Sequence, residues 1–257
     1  MAVTGDHDEQ RDTVRREFTR QAAGFESPGS LFGDRSILSW IGSQVLVPPG
    51  ARILDVAGGT GQLGRYLSCD DGATALIVDL TDAMLAAGLR AVLEEGRSDV
   101  SFVRGDATAL PFPDRQFDVV VSRFALHHMD DPGSAIAEMV RVCRPTGALT
   151  LVDMIAGGAR HDELERLRDP SHTRALAAQE LVQLLGTCGR EPRLTDEREH
   201  TMPAEPWLDR AQTPAAERAT IRQVLEAEAD GGEPSGLRAS RVDGQLAITQ
   251  RWLLVAG

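Results

Sequence analysis

Residues 52–64 read RILDVAGGTGQLG, and no other stretch limits the fold as strongly. Ile53, Leu54 and Val56 make a short apolar run that stops at glycines, the pattern of a strand buried on both faces of a parallel sheet. Asp55 stands near the end of that strand. Gly58, Gly59 and Gly61 then allow a tight bend and a close ligand approach, because no Cβ intervenes. Residues 62–68 read as a short helix whose N-terminus faces the same spot. A second apolar run over 75–78 ends in Asp79, 18 residues beyond Gly61, a spacing expected of a carboxylate that grips ribose hydroxyls.

Two cofactors can use this geometry. Gly59, Gly61 and Gly64 match the dinucleotide pattern, in which the helix N-terminus holds a pyrophosphate. The alternative is S-adenosylmethionine, which carries an amino acid end and a sulfonium charge instead of phosphate. Asp55 argues for the second, since a carboxylate at the mouth of the bend repels pyrophosphate and can orient an amino group. A glycine turn without a ligand is the remaining reading.

The chain has 257 residues, enough for one large α/β domain or a domain with an added lid. Its formal charge is −12, and all 27 basic residues are arginine. An acidic surface argues against nonspecific binding to nucleic acid or an anionic membrane. Cys69, Cys143 and Cys188 are odd in number and far apart, so they read as reduced thiols, with no disulfide frame and no metal site. The polar start shows no signal-peptide pattern, and no apolar run approaches the ~20 residues of a membrane span. A cytoplasmic protein, monomeric or homodimeric, is expected.

In chain order, residues 8–23 read as a helix with Val14 and Phe18 on one face, and residues 31–47 as a second with Leu31, Ile37, Leu38, Ile41 and Val45 inward. Pro48, Pro49 and Gly50 end it. Phe18 and Phe25 can close over a bound molecule or simply pack. Thr81 can cap a helix over 82–95 with Met84, Leu85, Leu89 and Val92 inward. A third strand over 100–103 leads to Asp106, again just past a strand's carboxyl end, with an adenine amino group as its plausible partner and the Ala107 N–H beside it. Residues 117–121 form the fourth strand. Asp131 and Pro132 open a helix, and residues 148–152 form a fifth strand ending at Asp153. Helices over 161–168, 178–188, 205–211 and 215–229 follow, with a strand over 192–200. A last strand over 245–255 pairs most easily antiparallel at the sheet edge.

The pattern is a three-layer, doubly wound, Rossmann-like α/β sheet. Residues 1–50 form an N-terminal helical cap and 51–200 the core. Residues 201–240 make a helical lid, and 241–257 supply the final strand.

Residues 51–153 resemble a class I S-adenosylmethionine-dependent methyltransferase of the type-11 branch, near the ubiquinone and menaquinone biosynthesis methyltransferases. The residues that carry this are DVAGGTG at 55–61, VDLTDAM at 78–84, GDATALPF at 105–112, Phe117 with Asp118, and RPTG at 144–147. The resemblance implies a seven-stranded sheet with a reversed last strand. It places Ala57, Gly58, Gly59, Thr60 and Gly61 under the methionine part of the cofactor. Asp79, with Leu80 and Met84 of the same motif, lies at the ribose, Asp106 and Ala107 at the adenine, and Arg123 borders the cofactor. The segments RFALHH at 123–128 and ERLRDPSH at 165–172 depart from the quinone enzymes and are similar to type-11 enzymes of unassigned substrate.

Methyl transfer is a displacement at an activated sulfonium, so positioning supplies much of the rate. An oxygen or nitrogen acceptor also needs a base. His127 and His128 follow strand four and are the candidate catalytic residues. Phe124, Asp153, His172 and Trp207, with Phe18 and Phe25, are the acceptor-side candidates; Met202 and Leu208 accompany Trp207. Arg123 and Arg168 can grip an anion, although Arg168 reads more simply as a surface ion pair. The expected function is methyl transfer to O, N or C of a small, partly apolar molecule, such as a phenol, quinone or natural-product intermediate. A non-methylating catalytic or binding role on the same fold is the alternative, and a nicotinamide-dependent dehydrogenase is a third.

Overall fold

The computed structural model describes residues 4–69 and 72–257, with side chains from residue 8 onward. Residues 1–3 of the expected cap lie outside that range.

Five parallel strands form the frame: β1 (Arg52–Val56), β2 (Thr74–Asp79), β3 (Val100–Arg104), β4 (Phe117–Arg123) and β5 (Cys143–Met154). β6 (Leu194–Pro203), β7 (Ser240–Val242) and β8 (Gln245–Ala256) complete the sheet. The order is β3-β2-β1-β4-β5-β8-β6, with β7 hairpinned onto β8. The chain leaves β1 toward β2 and returns at β4, so the carboxyl ends of β1 and β4 flank the point where the winding reverses. Open α/β sheets bind ligands there. The register sets Asp55 opposite Val121 and Val56 opposite Val78, which brings Asp55, Asp79 and Arg123 to one rim.

Alternation along β1 explains the three layers. Ile53 faces a core shared with helices α2 (Arg35–Gly42) and α3 (Gln62–Leu67), while Leu54 faces one shared with α5 (Pro132–Val142) and α7 (Ala178–Thr187). Trp207 and Leu208 of α8 (Ala204–Arg210) and Ile221 and Leu225 of α9 (Ala215–Ala229) join the first core. The segment expected as a lid is thus packed into the sheet's own interior. α4 (Asp82–Glu94) and α6 (Ala159–Arg168) complete the helical layers around the rim, and α1 (Thr4–Phe25) runs ahead of them.

Four details differ from the sequence reading. The antiparallel C-terminal strand is interior, hydrogen-bonded to β5 on one side and β6 on the other, not at the edge. Its Trp252–Val255 stretch is fully buried, whereas β6 alternates exposed and half-buried residues as an edge strand does. The short β7 makes eight strands instead of seven. The helix expected over 31–47 is a single 3-10 turn (Leu31–Gly33) followed by α2, because the Asp34 carboxylate accepts the Ser36 and Ile37 N–H groups and restarts the helix. Leu89 is 47% exposed on the outer face of α4. Among the described residues, no helix is long and apolar enough to cross a membrane.

Candidate functional site

The bend after β1 is built around a carboxylate. A Cβ on Gly58 would stand 2.7 Å from the Asp55 carboxyl carbon. Gly61 has φ +78°, and its Cβ would meet Ile77 at 2.8 Å. Ala57 tolerates a left-handed φ of 52° at the first step of the turn. Asp55 is 1% exposed; Oδ2 accepts the Gly64 N–H at 2.9 Å, and Oδ1 has no partner among the described residues. Burial pushes its pKa up to about 6 and Asp79 adds to this, against the pull of the Gly64 N–H and Arg123.

Asp79 shapes the other side of the bend. Its Oδ2 accepts the Gly59 N–H and its Oδ1 the Thr81 N–H, each at 2.8 Å. Burial raises its pKa too, against those N–H groups. Asp106 accepts both the N–H and the hydroxyl of Thr108, and its Oδ2 meets Arg11 Nε at 2.7 Å. Arg11 lies on α1, 95 residues earlier, and no local pattern marks it. Arg123 donates from Nη2 to the Phe32 carbonyl at 3.0 Å, while its buried Nη1 has no partner among the described residues. Burial lowers this guanidinium to about 10, partly offset by Asp55.

These groups open on one cavity of about 380 Å³, within the size range of small-molecule sites. Of the cofactor-side candidates, Asp55, Ala57, Gly58, Gly59, Thr60, Asp79, Leu80, Met84, Asp106, Ala107 and Arg123 line it. Gly61 sits just behind them as the N-cap of α3. α1 closes the near side with Phe18 and Phe25; Phe25 stacks on Phe32 at 4.1 Å, and Phe18 meets His128 edge-on at 4.9 Å.

The far side carries two buried histidines. His127 Nδ1 lies 2.5 Å from Asp153 Oδ1, and its backbone N–H reaches Asp153 Oδ2. Because the carboxylate only accepts, Nδ1 carries the proton. Burial alone would lower this imidazole, but Asp153 outweighs it, and the net pKa is raised. His128 Nδ1 lies 3.0 Å from Ser171 Oγ, which itself donates to Asp169 Oδ1 at 2.6 Å. Burial and neighbouring His127 push His128 down to about 3, so it is neutral. Gln21 of α1 ties Asp169 at 2.9 Å and Gln10 bonds the carbonyls of His128 and Ser171, locking the helix to this network.

Phe124 and Trp207 also line the cavity; Asp153 and His172 do not. Asp153 stands behind His127, and His172 Nε2 is bound to Asp162 at 2.8 Å. Arg168, expected as a surface pair, is buried; its Nε donates to the fully buried Glu165 at 2.7 Å. Burial raises the Glu165 carboxyl, but Arg168, His161 and His172 outweigh it and hold it at about 2. Gln10, Arg11, Gln21, Asp169 and Arg210 line the cavity without having been singled out in the sequence.

Residues 54–151 match the methyltransferase domain family. The ubiquinone/menaquinone biosynthesis C-methyltransferase UbiE of Ectopseudomonas mendocina is 41% identical over 115 residues, 44% of this chain and 45% of that one. The demethylmenaquinone methyltransferase of Renibacterium salmoninarum is 42% identical over 105 residues, 41% of this chain and 42% of that one. The chain therefore spans a little under half the length of these relatives. Among solved structures, the YcgJ protein of Bacillus subtilis superposes with a TM-score of 0.75 at 25% identity, covering 86% of this chain and 96% of that one. The family match and the relatives agree in what residues 54–151 are similar to, a methyltransferase domain, and the sheet order gives that stretch a Rossmann-like frame.

Proposed function

We propose that the chain is an S-adenosylmethionine-dependent methyltransferase acting on a small, partly apolar molecule. One observation carries this: in a single cavity, a buried carboxylate oxygen of Asp55 and a buried guanidinium nitrogen of Arg123 both lack partners among the described residues. Buried polar atoms are rarely left unpaired. Together they suit the ammonium and carboxylate of an amino acid end, which a nicotinamide dinucleotide lacks. The Asp55 carboxylate at the bend also disfavours pyrophosphate.

S-adenosylmethionine bound there supplies a methyl group already activated on a sulfonium. In this reading Asp55 and Arg123 hold its amino acid end, and Asp79, fixed by the Gly59 and Thr81 N–H groups, takes the ribose hydroxyls. Asp106 and Ala107 border the adenine, with Arg11 closing over them. Phe18 and Phe25 exclude water from above.

His127 is the proton acceptor. Asp153 fixes its tautomer and raises its basicity, leaving Nε2 of a cavity-lining residue to take a proton from an O, N or C acceptor. His128 stays neutral and, held by Ser171, presents Nε2 as a hydrogen-bond acceptor. Phe124, Trp207 and Trp252 give the acceptor end an apolar lining. A ring-bearing acceptor suits it, in keeping with relatives named for quinone biosynthesis. The acidic surface supports neither a nucleic acid nor an anionic membrane as the substrate.

The test is incubation with methyl-labelled S-adenosylmethionine and a panel of phenols, quinones and natural-product intermediates, read by mass shift. Label appearing in an acceptor supports the reading. Binding of S-adenosylhomocysteine without label transfer to any acceptor points to the non-methylating alternative.

A further inference from the structure

Beyond the cofactor end, the cavity holds a second set of donors that the described residues satisfy only in part. Arg210, on α8, lines the cavity, and its only bond among the described residues is a 3.5 Å contact from Nη2 to the Met202 thioether. No carboxylate of the described residues pairs with it. Its guanidinium instead lies over the Phe32 ring at 5.8 Å. Trp207, from the same helix, is 1% exposed, and its indole N–H has no partner among the described residues. Arg168 sits over the Trp207 ring at 5.0 Å and spends only its Nε on Glu165. Arg168 and Arg210 therefore share one wall; Glu165, behind it, is bonded to Arg168 and further shared with Gln250, and makes no ion pair with Arg210. Burial and the charge of Arg168 push Arg210 down to about 10, partly offset by Glu165. The carboxylate on this wall, Asp169, is bonded to Gln21 and Ser171 and faces Arg168 and His128, and it makes no ion pair with Arg210.

We propose that the methyl acceptor is an acid: an apolar or aromatic body bearing a carboxylate that docks on Arg210, Arg168 and the Trp207 N–H. This rests on the methyltransferase reading and narrows its substrate class. A planar carboxylate fits a guanidinium fork bidentately. The aromatic walls of Trp207, Trp252 and Phe124 take the body. The carboxylate of the cofactor's own amino acid end is a second source of the same chemistry. Arg123, beside Asp55 and with Nη1 open, already serves that end, which leaves Arg210 for the acceptor.

The experiment loads the full chain with S-adenosylhomocysteine and titrates aromatic and aliphatic carboxylic acids, each against its own neutral methyl ester. The expected result is that at least some acids bind roughly tenfold or more tighter than their esters, as loss of a charge-assisted hydrogen bond predicts. Arg210→Gln removes that preference, Arg210→Lys keeps part of it, and Trp207→Phe, which deletes the N–H together with part of the ring, weakens the acids by several-fold more than it weakens their esters. S-adenosylhomocysteine affinity stays within about twofold in all three, and thermal melting confirms that each variant is folded. Acids and esters binding alike across the panel, or failing to bind at all, overturns the proposal. So does an Arg210→Gln variant that loses S-adenosylhomocysteine instead, since that gives the arginine to the cofactor. Failure of the unaltered chain to bind S-adenosylhomocysteine sinks the methyltransferase reading itself, which separates the two failures.

Discussion

Replacing Asp55 by Asn tests the cofactor end through its pH dependence. In the unliganded protein, burial holds the Asp55 carboxyl at about 6, well above the ordinary 3.8. An ammonium docked on Oδ1 favours the charged form and draws the pKa back down. Full return to 3.8 corresponds to about 3 kcal/mol, roughly a hundredfold in affinity. The sign follows from proton release: below pH 6 the carboxyl must lose a proton to bind. Affinity for S-adenosylhomocysteine therefore rises with pH up to about 6–7 and then levels off, with close to one proton released per ligand at pH 5. The unliganded fold shows the converse, because a raised carboxyl loses stability as pH climbs from 3.8 to about 6. In the Asn variant the side-chain oxygen still accepts the Gly64 N–H, so the bend survives. Its affinity at pH 7.5 falls by about 1.5–3 kcal/mol and loses the pH step that Asp55 contributes, since the charge that met the ammonium is gone. Calorimetry at pH 5, 6 and 7.5 in buffers of different ionisation enthalpy reads both quantities. A wild-type affinity that is flat across this range, or an Asn variant that binds equally well, refutes the reasoning.

Asp79→Ala removes the carboxylate proposed to accept the ribose hydroxyls and frees the Gly59 N–H; S-adenosylhomocysteine affinity drops by about 1.5–3 kcal/mol, measured in the same calorimeter. Asp153→Asn withdraws the group that raises His127. The acidic limb of kcat, which lies above the ordinary histidine range in the wild type, moves to lower pH, and kcat falls by a factor of roughly 10²–10⁴ while cofactor affinity holds. Glu165→Gln leaves Arg168 buried without its counter-charge, and thermal melting shows a loss of about 3–5 kcal/mol. Because Glu165 is depressed from 4.5 to about 2, the stability it contributes is present above pH 4.5 and disappears as pH falls through 2, a trend the Gln variant lacks.

The parts legible in the sequence are those where local spacing carries the geometry. A five-residue strand with three apolar residues, a glycine bend and an acid at the end of the next strand all lie within 28 consecutive residues, 52–79, and the register of β1 against β2 leaves little choice about where Asp55 and Asp79 meet. What stayed hidden depends on distant partners. Ser171 and Asp169 make sense only once the fold sets them against His128, 43 residues away in the case of Ser171. Gln21 reaches Asp169 across 148 residues. Arg210 reads as one more arginine in a chain rich in them, and its lack of a counter-charge is a property of the packed cavity. The interior position of β8 did leave a trace, since Trp252, Leu253, Leu254 and Val255 form a continuous apolar run that an edge strand would not carry. The apolar stripe over 31–47 outruns α2 at both ends, since the Asp34 cap restarts the helix at Arg35 and Ser43 caps it after Gly42.

The most direct measurement is a crystal structure of the chain with S-adenosylhomocysteine. The account predicts its ammonium within about 3 Å of Asp55 Oδ1, its carboxylate on Arg123 and its ribose hydroxyls on Asp79. A ligand seated elsewhere, or a nucleoside whose ribose turns away from Asp79, contradicts it.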